Sequence, residues 1–257
     1  MQKQCTKFIV IRANLLAIKQ IIFSQPSNMS NPESPLAAFR HAYFGPIDQY
    51  LAWHDGFDSQ TDLALLDQLA PTEQAQAATE LLMALRAGTA DARALLGLGH
   101  LRHAEALPLL HDCLRRGFFA LYALEAIAQI NPAGLYPPIV AAQLRAKALT
   151  EFQLMDLLIG LREYFTLPQL GPAIPPCIFN LLTHSESLVR YHALNTLRRL
   201  YGVAPTPEAL TTERLRADQV FSLISKGGLC TNFGKAQRLL LADLPAATLA
   251  AYPLFAR

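Results

Sequence analysis

The chain is 257 residues long, 52% apolar and only 16% charged, with 22 basic and 20 acidic residues and a mean hydropathy of +0.21. Typical soluble domains are about 25% charged, so a disordered polymer is excluded and an unusually large share of the chain must lie in packed layers. The nearly neutral balance lacks the basic footprint of a nucleic-acid reader, and no nucleic-acid partner is expected.

Residues 1–28 differ from everything after them. They hold Lys3, Lys7, Arg12 and Lys19 and no acid. Arg12 and Lys19 interrupt what would be the apolar core of a secretory signal. Three readings stand: an upstream extension ahead of a true start at Met29, a basic amphipathic segment lying on a membrane surface, or a poorly formed export signal. The first is preferred, because Met29 opens a polar, proline-containing tip that leads straight into helical patterning. From Met29 onward the chain has 18 basic and 20 acidic residues. No membrane partner is expected unless residues 1–28 are retained.

An aromatic group follows, comprising Tyr43, Phe44, Tyr50, Trp53, His54 and Phe57. Exposed, it would be a binding hot spot; the preferred reading is a cap over the open end of a helical stack. From about Ile47 apolar residues recur at three- and four-residue spacing in segments of roughly 10 to 16 residues, separated by Gly, Pro, Asn or Asp. Strand signals are nearly absent, and the fold class is all-α.

Several segments share the pattern Ala-Leu-x-x-Leu/Ile-x-x-Leu/Ile. Ala94, Leu95, Leu98 and Leu101 form one copy, Ala123, Leu124, Ile127 and Ile130 a second, and Ala193, Leu194, Leu197 and Leu200 a third. Leu157, Leu158, Leu161 and Tyr164 supply a degenerate copy between the last two. Proline announces a second helix after the copies that precede the Ala193 one, at Pro108, at Pro137-Pro138 and at Pro175-Pro176, positions where its missing N–H costs little. One hairpin of this size cannot bury its own apolar stripe, so the repeat predicts an α-solenoid of stacked hairpins. The small Ala near the middle of the first helix is expected to let its neighbour approach closely.

Residues 91–117, DARALLGLGHLRHAEALPLLHDCLRRG, resemble a HEAT repeat of the short bacterial type, and residues 185–202, SESLVRYHALNTLRRLYG, are similar to the first helix of another. The resemblance covers about 88–202, within a single domain at 29–257 that has capping helices on either side. It implies a superhelix whose second helices line a concave surface that grips another protein: a non-enzymatic scaffold, adaptor or immunity-type regulator. HEAT-like enzymes, namely bilin lyases and alkyl-purine DNA glycosylases, are the alternative the resemblance leaves open. The chain departs from the family where an arginine often stands three residues before the small core residue. Arg190 occupies that place, but the first two copies have Asp91 and Ala120.

The candidate partner-binding residues lie on the second helices: His111, Asp112, Arg115 and Arg116 on one, Gln143, Arg145 and Lys147 on the next. No catalytic, cofactor-binding or metal site is assigned. His100, His103 and His111 are close in sequence but fall on a helix end, a turn and the following helix, so a shared metal is not expected. His184 and Glu186 lack a nearby nucleophile, and His192 reads as an inter-repeat packing or hydrogen-bonding residue. Gly227 to Lys235 fails the phosphate-loop pattern, with Leu229 and Ala236 in place of the required glycine and hydroxyl residue; Gly227 or Gly228 is expected to cap a helix. Phe165 to Ser185 is uncharged but is broken by four prolines and should not cross a membrane. Cys5, Cys113, Cys177 and Cys230 form no CxxC pair, and they read as isolated thiols in a reducing, cytoplasmic compartment.

Overall fold

A computed structural model describes residues 34–146, 148–203, 218–225 and 232–255. The described residues form α-helices joined by short 3-10 turns, with no strand among them, so the chain is all-α. No helix among them is long and apolar enough to cross a membrane.

The N-terminal part is α1 (Pro35–Phe44), α2 (Gln49–Asp55), a 3-10 turn at Phe57–Gln60, α3 (Ala64–Asp67) and α4 (Pro71–Ala87). Then come α5 (Ala92–His100), α6 (Leu107–Arg116), α7 (Ala120–Ile130), α8 (Pro137–Arg145), α9 (Glu151–Tyr164), α10 (Leu167–Leu170), α11 (Ile174–Asn180) and α12 (Ser187–Leu200). The last are α13 (Gln219–Ser225), α14 (Phe233–Asp243) and α15 (Ala246–Ala251).

Local chemistry sets these boundaries. Proline occupies the first turn of α4, α6, α8 and α11, where its fixed φ suits the helix. Thr150 and Gln153 close a reciprocal capping box at the start of α9. At Gly117, φ is +66°, a left-handed residue that ends α6 and turns the chain into the next hairpin.

The four copies of the motif all fall on first helices: α5, α7, α9 and α12. In each copy the first, second and fifth positions are buried and the eighth is half-buried. These helices pack in succession, α5 on α7, α7 on α9 and α9 on α12, and α13 follows α12. The proline-started helices make a second file, α6 on α8 and α8 on α11. The core lies between the two files, as one continuous apolar cluster from Phe39 to Leu254.

Tight contacts within the first file occur three residues after the first motif position, at Gly97, Ala126, Gly160 and Thr196, all buried. A Cβ on Gly160 would stand 2.6 Å from the Leu124 side chain, and one on Gly99 would stand 2.7 Å from the Cα of Ala126. The Thr196 hydroxyl donates to the Leu158 carbonyl at 3.0 Å. The fourth motif position of one helix therefore rests on the helix before it. The motif alanines Ala94, Ala123 and Ala193 are buried as well.

The residue just before the motif reaches backward at Arg93, Tyr122 and His192. Arg93 is 5% exposed and donates to the Ala42 and Gly45 carbonyls at 2.7 and 3.0 Å, with Asp91 paired to it at 2.6 Å. The Tyr122 hydroxyl accepts the Phe57 N–H at 2.8 Å. His192 Nδ1 accepts from Arg162 at 3.2 Å, an inter-repeat bond of the expected kind. Arg190 bridges forward instead. It donates to the carbonyls of His184 and Ser185 at 2.5 Å and of Ile224 at 2.6 Å, and lies over the Phe233 ring.

Candidate functional site

The predicted partner-binding residues sort into two groups. His111 and Gln143 are structural. His111 Nε2 accepts the Tyr136 N–H at 3.2 Å, which leaves its Nδ1–H to donate to the Leu107 carbonyl at 2.8 Å. The imidazole is thus neutral and clips α6 to the start of α8. Gln143 donates to the Arg115 carbonyl at 2.6 Å and ties α8 to the last turn of α6. Both side chains are half-buried and use these atoms within the fold.

The charged residues do face outward. Asp112 pairs with Arg115 at 2.8 Å and with Arg116 at 2.5 Å, both one turn away on the solvent side of α6. The basic stripe is therefore half neutralised there. Arg145 is exposed at the end of α8, and Lys147 lies outside the described residues. Sequence reasoning missed Tyr136, which is 56% exposed and has its backbone fixed by His111. Its only sequence signal is an aromatic residue directly before the Pro137-Pro138 helix start. An exposed tyrosine on a fixed backbone is the residue type of an interface hot spot.

A second polar line crosses the first file. Asp67 pairs with His100 at 2.7 Å. Glu125 on α7 accepts from Gln129 at 3.2 Å and from the Tyr164 hydroxyl of α9 at 2.7 Å. Burial raises the Glu125 carboxyl above its ordinary range, the Tyr164 bond pulls it back in part, and the nearby Asp58 charge raises it further. Burial and the Glu125 carboxylate in turn raise the Tyr164 hydroxyl. No nucleophile or oxyanion donor pair converges here, so this line joins helices and holds no acid–base pair with a reacting group between its members.

The remaining sequence candidates disperse. His100 and His111 have the separate partners given above, and among the described residues no group of three His, Cys, Asp or Glu side chains could hold a metal ion. His184 Nδ1 accepts the Glu186 backbone N–H at 3.1 Å and does not meet that residue's carboxylate. Cys113 and Cys177 are buried free thiols, and burial pushes the Cys113 thiol up to about 11, which makes it inert at neutral pH. Asn232 caps α14 through the Lys235 N–H at 3.0 Å; Gly227 to Thr231 lie outside the described residues. The aromatic group divides. Tyr43 is buried, and Phe57 packs edge-on against Phe119 and Tyr122 at 5.2 and 5.7 Å. Phe44 and Tyr50 are exposed, and the side chains of Trp53 and His54 lie outside the description.

Near the C-terminal end a cleft of about 320 Å³ is lined by Arg198, Asp218, Gln219, Val220, Leu239 and Asp243. Its floor is an ion pair between Arg198 and Asp218, with Asp243 at 3.8 Å from the same guanidinium. Burial pushes the Asp218 carboxyl up, but the Arg198 hydrogen bond and charge together with the Phe221 and Val220 backbone N–H groups hold it below its ordinary range. Both acids are satisfied by the one cation. No family model, no curated protein and no solved structure matches the chain.

Proposed function

We propose that the chain is a HEAT-like α-solenoid that acts in the cytoplasm as a non-enzymatic scaffold or regulator and grips another protein with the outward face of its second helices. The observation that carries this reading is Tyr136, an exposed aromatic whose backbone is held by the His111 clip at the start of α8, on the same pair of second helices that carry Arg115, Arg116 and Arg145. Immobilising the backbone beneath an anchor lowers the ordering cost of binding. Two files of hairpins, each packed on the next, support the solenoid reading, since such a stack presents a long side-chain surface and needs no cavity.

The test is affinity capture from the native host with quantitative mass spectrometry, comparing the natural chain with Tyr136→Ala and with Arg115→Glu/Arg145→Glu. One protein should be retained by the natural chain, depleted about tenfold or more by Tyr136→Ala, and depleted further by the double reversal. A partner indifferent to both variants would move the site elsewhere, and the absence of any enriched protein would overturn the reading.

A further inference from the structure

Between His41 and Leu85 the sequence holds seven acids and no lysine or arginine. Glu80 is paired with Arg40 and Asp67 with His100. Asp48, Asp58 and Asp62 make no ion pair with a lysine or arginine among the described residues. Asp48 and Asp62 instead accept backbone N–H groups of Tyr50, Leu51 and Ala64 at 2.9 to 3.1 Å. The unit that carries them is firmly built. Gln60 both donates to the Asp48 carbonyl and accepts its N–H, at 2.9 and 3.0 Å, and Phe57 anchors the unit against Phe119 and Tyr122.

Large apolar side chains on this acidic unit are solvent-exposed. Phe44, Tyr50 and Leu51 are 45%, 66% and 39% exposed. An apolar surface rimmed by like charge calls for an apolar occupant of opposite charge. The chain itself contains one. Residues 1–28 carry four basic residues, no acid, and the apolar runs Phe8-Ile9-Val10-Ile11 and Ile21-Ile22-Phe23. Only residues 29–33 separate that segment from Ser34, the N-cap of α1. Those residues reach about 18 Å when extended, comparable to the roughly 15 Å length of α1, whose far end is Phe44. So short a tether holds the segment at an effective concentration of about millimolar.

From this complementarity of charge, apolarity and reach, we infer that residues 1–28 dock on the acidic flank at 44–62 and cover Tyr50 and Leu51. The docking requires that residues 1–28 be retained, against the start at Met29 preferred from the sequence, and it is independent of the partner-binding face on the second helices.

The test uses the full chain. Zero-length carbodiimide coupling at low protein concentration, followed by peptide mapping, should join Lys3, Lys7 or Lys19 to Asp48, Asp58 or Asp62 within one molecule. Amide exchange in 49–60 should be at least about fivefold faster in Lys3→Glu/Lys7→Glu/Arg12→Glu/Lys19→Glu and in Asp48→Asn/Asp58→Asn/Asp62→Asn, where asparagine keeps the cap at Asp48. Exchange in 151–164 should stay unchanged in both variants. Absence of these cross-links, cross-links that form only between molecules, or unaltered exchange in 49–60 would overturn the inference. So would transfer of residues 1–28 to anionic lipid vesicles with exchange in 49–60 unaffected.

Discussion

At the scale of single residues, the polar side chains between helices work as connectors, and each connector leaves a readable trace. Glu125 is the most informative, because its carboxyl is half-buried against Tyr164 and its proton is held more tightly folded than unfolded. Between the ordinary carboxylate range near 4.3 and the raised folded value, the folded state binds the extra proton. Stability from this group is therefore greatest at low pH and declines as pH rises through that window. Glu125→Gln removes the titration and keeps an oxygen for the Tyr164 hydroxyl. Denaturant unfolding from pH 4 to pH 8 should show the variant matching the natural chain at the acid end and gaining on it as pH rises, with the difference levelling once Glu125 is ionised. A variant that matches the natural chain at the acid end but falls behind it as pH rises would mean that the ionised carboxylate, not the hydrogen bond alone, joins α7 to α9.

At the scale of helices, the fourth motif position sets how closely the first file packs, and neighbouring glycines separate two kinds of crowding. At Gly160 a new methyl meets the flexible end of Leu124; at Gly99 it meets the Ala126 backbone. Alanine gains about 1 kcal/mol of helix propensity over glycine at either place. Gly160→Ala should thus be close to neutral by thermal unfolding. Gly99→Ala should lose on the order of 1–3 kcal/mol, because the helices must separate. Equal effects would show that the spacing is not fixed at that crossing. This contrast also marks what was legible in advance. The all-α class, the proline-led second helices and the buried motif positions followed from periodicity, which local sequence expresses directly. The close contact at Gly97, Ala126, Gly160 and Thr196 was present in the letters but was not singled out by the motif, because periodicity tells which face is buried and not where two helices cross. His111 and Gln143 read as surface groups for the same reason. Their partners, the Tyr136 N–H and the Arg115 carbonyl, lie 25 and 28 residues away, and only the register between α6 and α8 brings them together.

At the scale of the whole molecule, the main helix packing joins elements that are neighbours along the chain or along one file, so a local loss should stay local. Arg190 offers the sharpest trial, since it is 2% exposed and serves three carbonyls, one of them across the boundary to α13. Arg190→Met fills similar space but leaves buried acceptors without a donor, a loss on the order of 3 kcal/mol. Native-state hydrogen exchange should show faster opening of α12, α13 and α14, while α5 and α7, two or more helices away in the first file, keep their protection. Arg190→Lys should recover only part of the loss, because one ammonium cannot reproduce the spread of the guanidinium. If protection fell equally from α5 to α14, the helices would unfold as a single cooperative block. The surface around Tyr136 would then be coupled to every crossing in the stack, and not only to the α6–α8 clip beneath it.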